Sequence, residues 1–156
     1  MPNWCENRVI FEAEEDILDQ IEEAAENGFL LTFCKPRPKS ETGQVTEWNI
    51  RNWGTKWEVG KGEIGINRSG ARHLSLYFDT AWAPPNEALS ALCSNTEGLK
   101  VRSFAVELWN DLAYVCVDGK EEWSTKNLRE AVVNLRSAPS ELIEMFDLDS
   151  RYEDEI

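Results

Sequence analysis

Residues 73–79 read HLSLYFD, a run in which apolar and polar positions alternate strictly. Leu74, Leu76 and Phe78 fall on one side of an extended chain, and the residues between them fall on the other. Those intervening residues are His73, Ser75, Tyr77 and Asp79. Because the side chains of a strand point to alternate faces, this pattern predicts a β-strand that packs one face against a core.

Apolar residues at helical spacing follow this predicted strand, and the same pattern follows a second predicted strand near the start of the chain. After the break at residues 80–85, TAWAPP, apolar residues recur at helical spacing over residues 86–96, and a proline suits the first turn of that helix. Near the start of the chain, residues 8–12 alternate as a strand, and residues 14–28 then show helical periodicity and end in glycine. The chain therefore twice places a strand before a helix.

Weaker patterns fill the rest of the chain. We predict short strands at residues 29–34, 57–59 and 63–67, a polar loop or insertion near 35–50, a hairpin over 101–117, and helices over 124–135 and from Pro139 onward. This order predicts an α+β fold with an antiparallel sheet, a split βαβ core and helices on one face of the sheet.

The chain is strongly acidic, with a formal net charge of −13 at pH 7. Residues 12–26 hold eight carboxylates and no base, and residues 141–156 hold seven carboxylates against Arg151 alone. Such surfaces repel nucleic acid, so we expect no direct nucleic-acid binding. The apolar runs are far shorter than the ~20 residues of a membrane span, and the start of the chain has no signal-peptide pattern. We therefore expect a cytoplasmic protein without membrane contact.

The residue types that carry common chemistries are sparse or badly spaced. The four cysteines show no C-x-x-C spacing, and His73 is the single histidine. The G-x-x-x-x-G-K-S/T motif of phosphate-binding loops does not occur in the chain. We predict reduced thiols, no metal, no cofactor and no catalytic residue, so an enzyme is disfavoured.

Three tryptophan-containing segments carry a family resemblance: MPNWCEN at residues 1–7, NWGTKW at 52–57 and FDTAWAPP at 78–85. Together they resemble the YubB-type ferredoxin-like domain proteins, small proteins of enterobacterial plasmids and phages whose function is largely unassigned. The resemblance covers about residues 1–119 and implies a ferredoxin-like βαββαβ core and a mobile-element origin. The family tends to carry a glycine-rich hairpin, whereas WNDLAYVCVDG at residues 109–119 has no glycine before Gly119.

The end of the chain lies outside the resemblance. We interpret residues 1–119 as a ferredoxin-like domain with a loop insertion near 35–50. We interpret residues 120–156 as a C-terminal extension of helices with an acidic tail, packed on the same domain. The resemblance implies nothing about the role of this extension.

The tryptophan motifs admit two interpretations. In the first, four indole rings form an internal cluster that fixes irregular loops onto the sheet; these belong to Trp4, Trp53, Trp57 and Trp82. In the second, the polar residues beside the rings form a binding pocket for a small polar or anionic ligand, or an enzymatic site, with Lys56 supplying charge. That pocket would comprise Asn7, Asn52, Thr55, Lys56, Asp79, Thr80 and Trp82. An ion pair between Lys56 and Asp79 would satisfy the motif without any ligand.

The acidic segments suggest a function of their own. A helix near the start of the chain would align Glu15, Asp19, Glu22 and Glu26 along one side, at a spacing comparable to that of backbone phosphates. The alternative is that the charge only keeps a small protein soluble. Our first hypothesis is a non-enzymatic acidic protein-interaction module of phage or plasmid type. It would be a nucleic-acid mimic that inhibits a basic host nucleic-acid-binding or defence protein. The tail acids Asp149, Glu153, Asp154 and Glu155 would contribute to this surface.

Overall fold

A computed structural model describes residues 2–153 as a six-stranded sheet with helices packed on it. The strands are β1 Trp4–Glu12, β2 Gly65–Arg68, β3 His73–Ala81, β4 Lys100–Glu107, β5 Leu112–Val117 and β6 Lys120–Thr125. The helices of these residues are α1 Glu15–Glu26, α2 Leu30–Cys34, α3 Val45–Trp53, α4 Asn86–Asn95, α5 Leu128–Val133, α6 Ser140–Met145 and α7 Leu148–Arg151. The predicted α+β class is confirmed.

The strand order across the sheet is β2-β3-β1-β4-β5-β6, and every neighbouring pair is antiparallel. The chain passes from β1 through α1–α3 to β2 and returns as β3 between those two strands. It then passes from β3 through α4 to β4, which lies on the other side of β1. The two crossovers are thus interleaved around the central pair β1 and β3.

One face of the sheet, the first face, carries the core beneath α1–α4. Val9 pairs with Leu76 across β1 and β3, and Phe11 pairs with Leu74 on one side and Val101 on the other. All five side chains are buried in one cluster together with residues of α1–α4. The alternation read from residues 73–79 is confirmed, since this face takes its apolar positions.

The opposite face, the second face, is covered in part by α5–α7. Phe104 and Val106 alternate with Val101 along β4, so they point to the opposite side of the sheet. There they join a separate buried cluster with Leu128 of α5 and Leu142 of α6. The prediction of helices on one face is therefore wrong. A stripe of apolar residues shows that one side of a helix is buried. It does not show on which face of the sheet the helix packs.

Three local predictions in the middle of the chain are wrong. Residues 30–34 form α2 instead of a strand, because Leu30, Leu31 and Cys34 bury one side of a helical turn. Short apolar runs fit either element, and here the tertiary packing decides. The predicted loop near residues 35–50 contains the start of α3, and residues 57–59 form no strand.

The region after residue 119 begins with a strand that the sequence did not predict. β6 pairs with β5, so residues 120–125 extend the sheet, and α5 begins at Leu128 rather than at residue 124. The helix after Pro139 is confirmed as α6, and the short α7 follows it. The domain limits at residue 119 stay a prediction.

Candidate functional site

The NWGTKW segment closes helix α3 and fixes it to the neighbouring loops. Gly54 has a φ of +88°, and its N–H donates to the Ile50 carbonyl at 3.1 Å, which ends the helix. The Trp53 ring is buried edge-on against Trp48, with ring centroids 5.6 Å apart. Its indole N–H donates to the Lys35 carbonyl at 2.8 Å. Trp53 and Gly54 of the motif therefore have a structural role, since they fix the end of α3.

Several polar residues of the predicted pocket make hydrogen bonds within the protein. The Asn7 amide donates to the Thr80 hydroxyl at 2.8 Å, and that hydroxyl donates to the Ala83 carbonyl at 2.7 Å. The Thr55 hydroxyl donates to the Ala81 carbonyl at 2.8 Å. Asn7, Thr55 and Thr80 are buried, so these bonds join the first face to the loops at the end of the sheet. The Asn52 amide donates to the Trp48 carbonyl of its own helix at 2.9 Å.

The remaining residues of the predicted pocket lie apart from those buried groups. Asp79 alternates with Thr80 along β3 and therefore points to the second face. The Lys56 ammonium lies 5.0 Å from the centroid of the Trp57 ring. Within residues 2–153, no ion pair joins Lys56 to Asp79. The structure thus divides the seven residues between an internal network and an exposed surface.

The expectation of an internal cluster of four tryptophans is wrong for three of them. Trp4, Trp57 and Trp82 expose 46%, 43% and 48% of their surface, whereas Trp53 is buried. Trp4 lies on the second face, where α1–α4 do not reach, and its ring centroid is 6.3 Å from that of Trp57. Trp82 is held at a φ of +72°, which is rare for a bulky side chain. Exposed aromatic residues at one end of the sheet are suited to contact another molecule.

A groove of about 750 Å³ lies on the second face, between strands β1 and β3 and the helices α6 and α7. It is lined by Trp4, Glu6, Asn7, Arg8, Glu63, Tyr77, Phe78, Asp79, Met145, Phe146, Asp147 and Arg151. Of the predicted site residues, this groove contains Asn7 and Asp79. Sequence reasoning missed Glu6, Arg8 and Arg151, although the alternation along β1 and β3 does place Glu6, Arg8 and Tyr77 on one face once the strands are paired.

Two guanidinium groups already bind within this groove. Both nitrogens of the Arg151 guanidinium donate to the Glu6 carboxylate, at 2.8 and 2.9 Å. The Arg8 guanidinium lies over the Tyr77 ring, 4.3 Å from its centroid. Glu6 and Asp79 are directly opposite each other on β1 and β3. Burial and the Glu6 carboxylate raise the pKa of Asp79, and Arg151 opposes this effect.

The predicted acidic residues lie on two opposite sides of the molecule. Glu15, Asp19, Glu22 and Glu26 are on α1, which packs on the first face. Arg68 binds two of them, with its nitrogens 3.0 Å from Asp19 and 3.2 Å from Glu22. Asp149 is on α7, on the second face, and lies 3.6 Å from an Arg136 nitrogen. Glu153 is exposed, and Asp154 and Glu155 lie outside the described residues.

The thiols are free and, for the most part, buried. Burial raises the pKa of all four, to about 12 for Cys93 and to about 11 for Cys116, so they are protonated at neutral pH. Over residues 2–153, no group of three or more His, Cys, Asp or Glu side chains is arranged to hold a metal ion. In the same residues, no helix combines the length and the apolar character that crossing a membrane requires.

Comparison with known proteins gives a likeness of fold alone. No family model matches the sequence, and no curated protein matches it. A crystal structure of the protein api92 from Yersinia pseudotuberculosis, of the family model DUF1281, is similar, with a TM-score of 0.58 and 9% sequence identity. The match covers 80% of this chain and 98% of that one.

Proposed function

We propose that the chain is a cytoplasmic ferredoxin-like protein of the YubB type, with the mobile-element origin that this resemblance implies. The interleaved crossovers, with β1 and β3 central in the order β2-β3-β1-β4, support the ferredoxin-like assignment. The likeness to api92 supports a shared fold and carries no statement about origin or activity.

The proposed activity is binding of a basic host protein by the acidic surface of α1. This helix carries six carboxylates and no base over residues 15–26. Arg68 pairs with two of them but brings a single positive charge, so a surplus of five negative charges stays on the helix. Glu15 and Glu26, near its two ends, are exposed. This uncompensated charge is the observation that carries the proposal, since it attracts and orients a positively charged surface.

The nucleic-acid mimic is a narrower form of the same proposal. The carboxylates of α1 recur at intervals of three and four residues, with Cβ atoms about 5–6 Å apart on a helix surface. Asp149 of α7 lies on the opposite face of the sheet from α1, so α1 alone would replace the phosphates. A partner that binds nucleic acid in a groove would then release the nucleic acid when it binds this chain.

Charge reversal with a matched control tests the activity. The double variant Glu15→Lys/Glu26→Lys changes the net charge by +4, and so does Glu121→Lys/Glu122→Lys on β6, where both side chains are exposed. Affinity capture from host lysate at low and high salt should give partners that the α1 variant loses and the β6 variant retains. Capture of the same proteins by the α1 variant and the wild-type chain would contradict the proposal.

A second candidate function is a ligand or enzymatic site at the tryptophan motifs. The strained backbone of exposed Trp82 favours it, because such strain accumulates at functional sites. Lys56, held over the Trp57 ring, would bind an anionic ligand there. The substitution Lys56→Ala should then abolish ligand binding and leave the melting temperature unchanged. A large loss of stability instead would show that Lys56 has a structural role.

A further inference from the structure

We propose that the groove on the second face is a binding site for an arginine side chain of another protein. The guanidinium would pair with the Asp79 carboxylate and lie beside the exposed ring of Trp4. This site is separate from α1, which packs on the opposite face of the sheet, so it does not depend on the proposed function.

The first observation is a pair of like charges that the chain neutralises only in part. Glu6 and Asp79 are cross-strand partners, and carboxylates in that arrangement repel each other. Arg151 binds Glu6 through both nitrogens, but within residues 2–153 no base forms an ion pair with Asp79. Asp79 is exposed on the groove side of the sheet. A cation from outside the chain would satisfy this carboxylate.

The second observation is that the groove already binds guanidinium groups in both of their usual modes. Arg151 makes a bidentate pair with a carboxylate, and Arg8 stacks on an aromatic ring. An incoming arginine would find the same two elements, a carboxylate at Asp79 and an exposed ring at Trp4. A lysine ammonium can use the charge but cannot make the planar, two-pronged contact.

The charge of the lining selects against anionic ligands. Four carboxylates line the groove, those of Glu6, Glu63, Asp79 and Asp147. The two bases that face them are Arg8 and Arg151, which leaves a surplus of two negative charges. Phosphate, nucleotide or nucleic acid would be repelled. A volume of about 750 Å³ is ample for one long side chain with its flanking backbone.

The environment of Asp79 agrees with this assignment. Burial raises the pKa of its carboxyl, the Glu6 and Glu63 carboxylates raise it further, and Arg151 lowers it. A bound guanidinium would add a second positive charge beside the group. Binding should therefore lower the pKa of Asp79, a change that a partner bound elsewhere would not cause.

The test uses the whole chain and two short probes. One is a blocked peptide with a central arginine, and the other is the same peptide with citrulline, which keeps the shape and removes the charge. Nuclear magnetic resonance titration should show saturable shifts at Asp79, Tyr77 and the Trp4 indole with the arginine peptide. The citrulline peptide should bind at least tenfold more weakly.

Two variants complete the experiment. Asp79→Asn should weaken binding of the arginine peptide at least tenfold, whereas Glu97→Gln, which removes an exposed carboxylate in the turn before β4, should leave it unchanged. Removing one of two repelling carboxylates leaves the fold intact, and thermal melting of both variants checks this. The inference is overturned if the arginine peptide causes no saturable shift, if its shifts lie outside the groove, or if Asp79→Asn binds as the wild type does.

Discussion

Glu6 and Asp79 face each other across the central strands β1 and β3, and only Glu6 has a basic partner, Arg151, among the described residues. Two carboxylates side by side on a sheet lower stability. Arg151 weakens this repulsion but forms its ion pair with Glu6 alone, so the pair keeps a net negative charge. Such a local loss of stability is common where a protein binds another molecule.

Replacing Asp79 should stabilise the chain. Asp79→Asn removes the repulsion with Glu6, and we expect the free energy of unfolding at pH 7 to rise by about 0.2–1 kcal/mol, the range of cross-strand charge effects. Urea unfolding of the variant and the wild type measures the difference. A decrease in stability would show that the Asp79 carboxylate has a partner within the fold.

The same residue predicts a pH dependence with a definite sign. The pKa of Asp79 is raised in the folded state, so the folded chain binds the proton more tightly than the unfolded chain. The contribution of this group to stability is therefore greatest below its unfolded pKa and falls as pH rises through the folded pKa. We expect the stability gain of Asp79→Asn to shrink between pH 7 and pH 3, as followed by urea unfolding. A gain that is constant over this range would contradict the assignment.

The ion pair between Arg151 and Glu6 should contribute modestly to stability. It joins residues far apart in the chain with bidentate geometry, but both side chains are about one third exposed. We expect Arg151→Ala to cost about 1 kcal/mol, at the upper end for exposed pairs. In a double-mutant cycle with Glu6→Gln, most of that cost should vanish. Additive effects of the two changes would show that the ion pair contributes nothing.

The buried polar network at the end of the sheet should be more costly to break. Thr80→Val removes the hydroxyl that accepts from Asn7 and donates to the Ala83 carbonyl. Leaving buried polar groups without partners should cost about 1–3 kcal/mol. Thr32→Val, at an exposed position, is the control and should change stability little. Equal effects at the two positions would argue against the network.

Two glycines separate the effect of backbone conformation from that of a close contact. Gly119 and Gly62 have φ angles of +80° and +82°, but a Cβ at Gly119 would lie 2.6 Å from the Asn86 carbonyl oxygen, whereas none would be crowded at Gly62. Gly62→Ala should cost about 1 kcal/mol for the strained φ. Gly119→Ala should cost at least 1 kcal/mol more, in the range of overpacking, since helix α4 must shift. Equal melting temperatures for the two variants would contradict this.

The elements that the sequence predicts well are those whose periodicity reflects one-sided burial. β3 and α1 are of this kind, since each presents a regular apolar side to the first face. β6 was missed because its sequence, KEEWST, is an edge strand of mostly exposed polar residues. Residues 30–34 were predicted as a strand because an apolar run of that length fits either element.

The groove could not be predicted from the sequence, for a different reason. It depends on α6 and α7 packing on the second face and on Arg151 reaching a residue 145 positions away. Neither the packing of these helices nor the contact between Arg151 and Glu6 produces a periodic pattern in the sequence. The tryptophans led to the opposite error: a large aromatic ring suggests burial, but Trp4, Trp57 and Trp82 are exposed.

The central claim is that the carboxylates of α1 form the surface that binds a basic partner. Carbodiimide labelling of exposed carboxyl groups, read by mass spectrometry with and without the captured partner, tests it directly. The account predicts protection of Glu15, Glu23 and Glu26, with labelling of Glu121 and Glu122 unchanged. Unchanged labelling of α1 in the bound state, with protection elsewhere, would contradict the account.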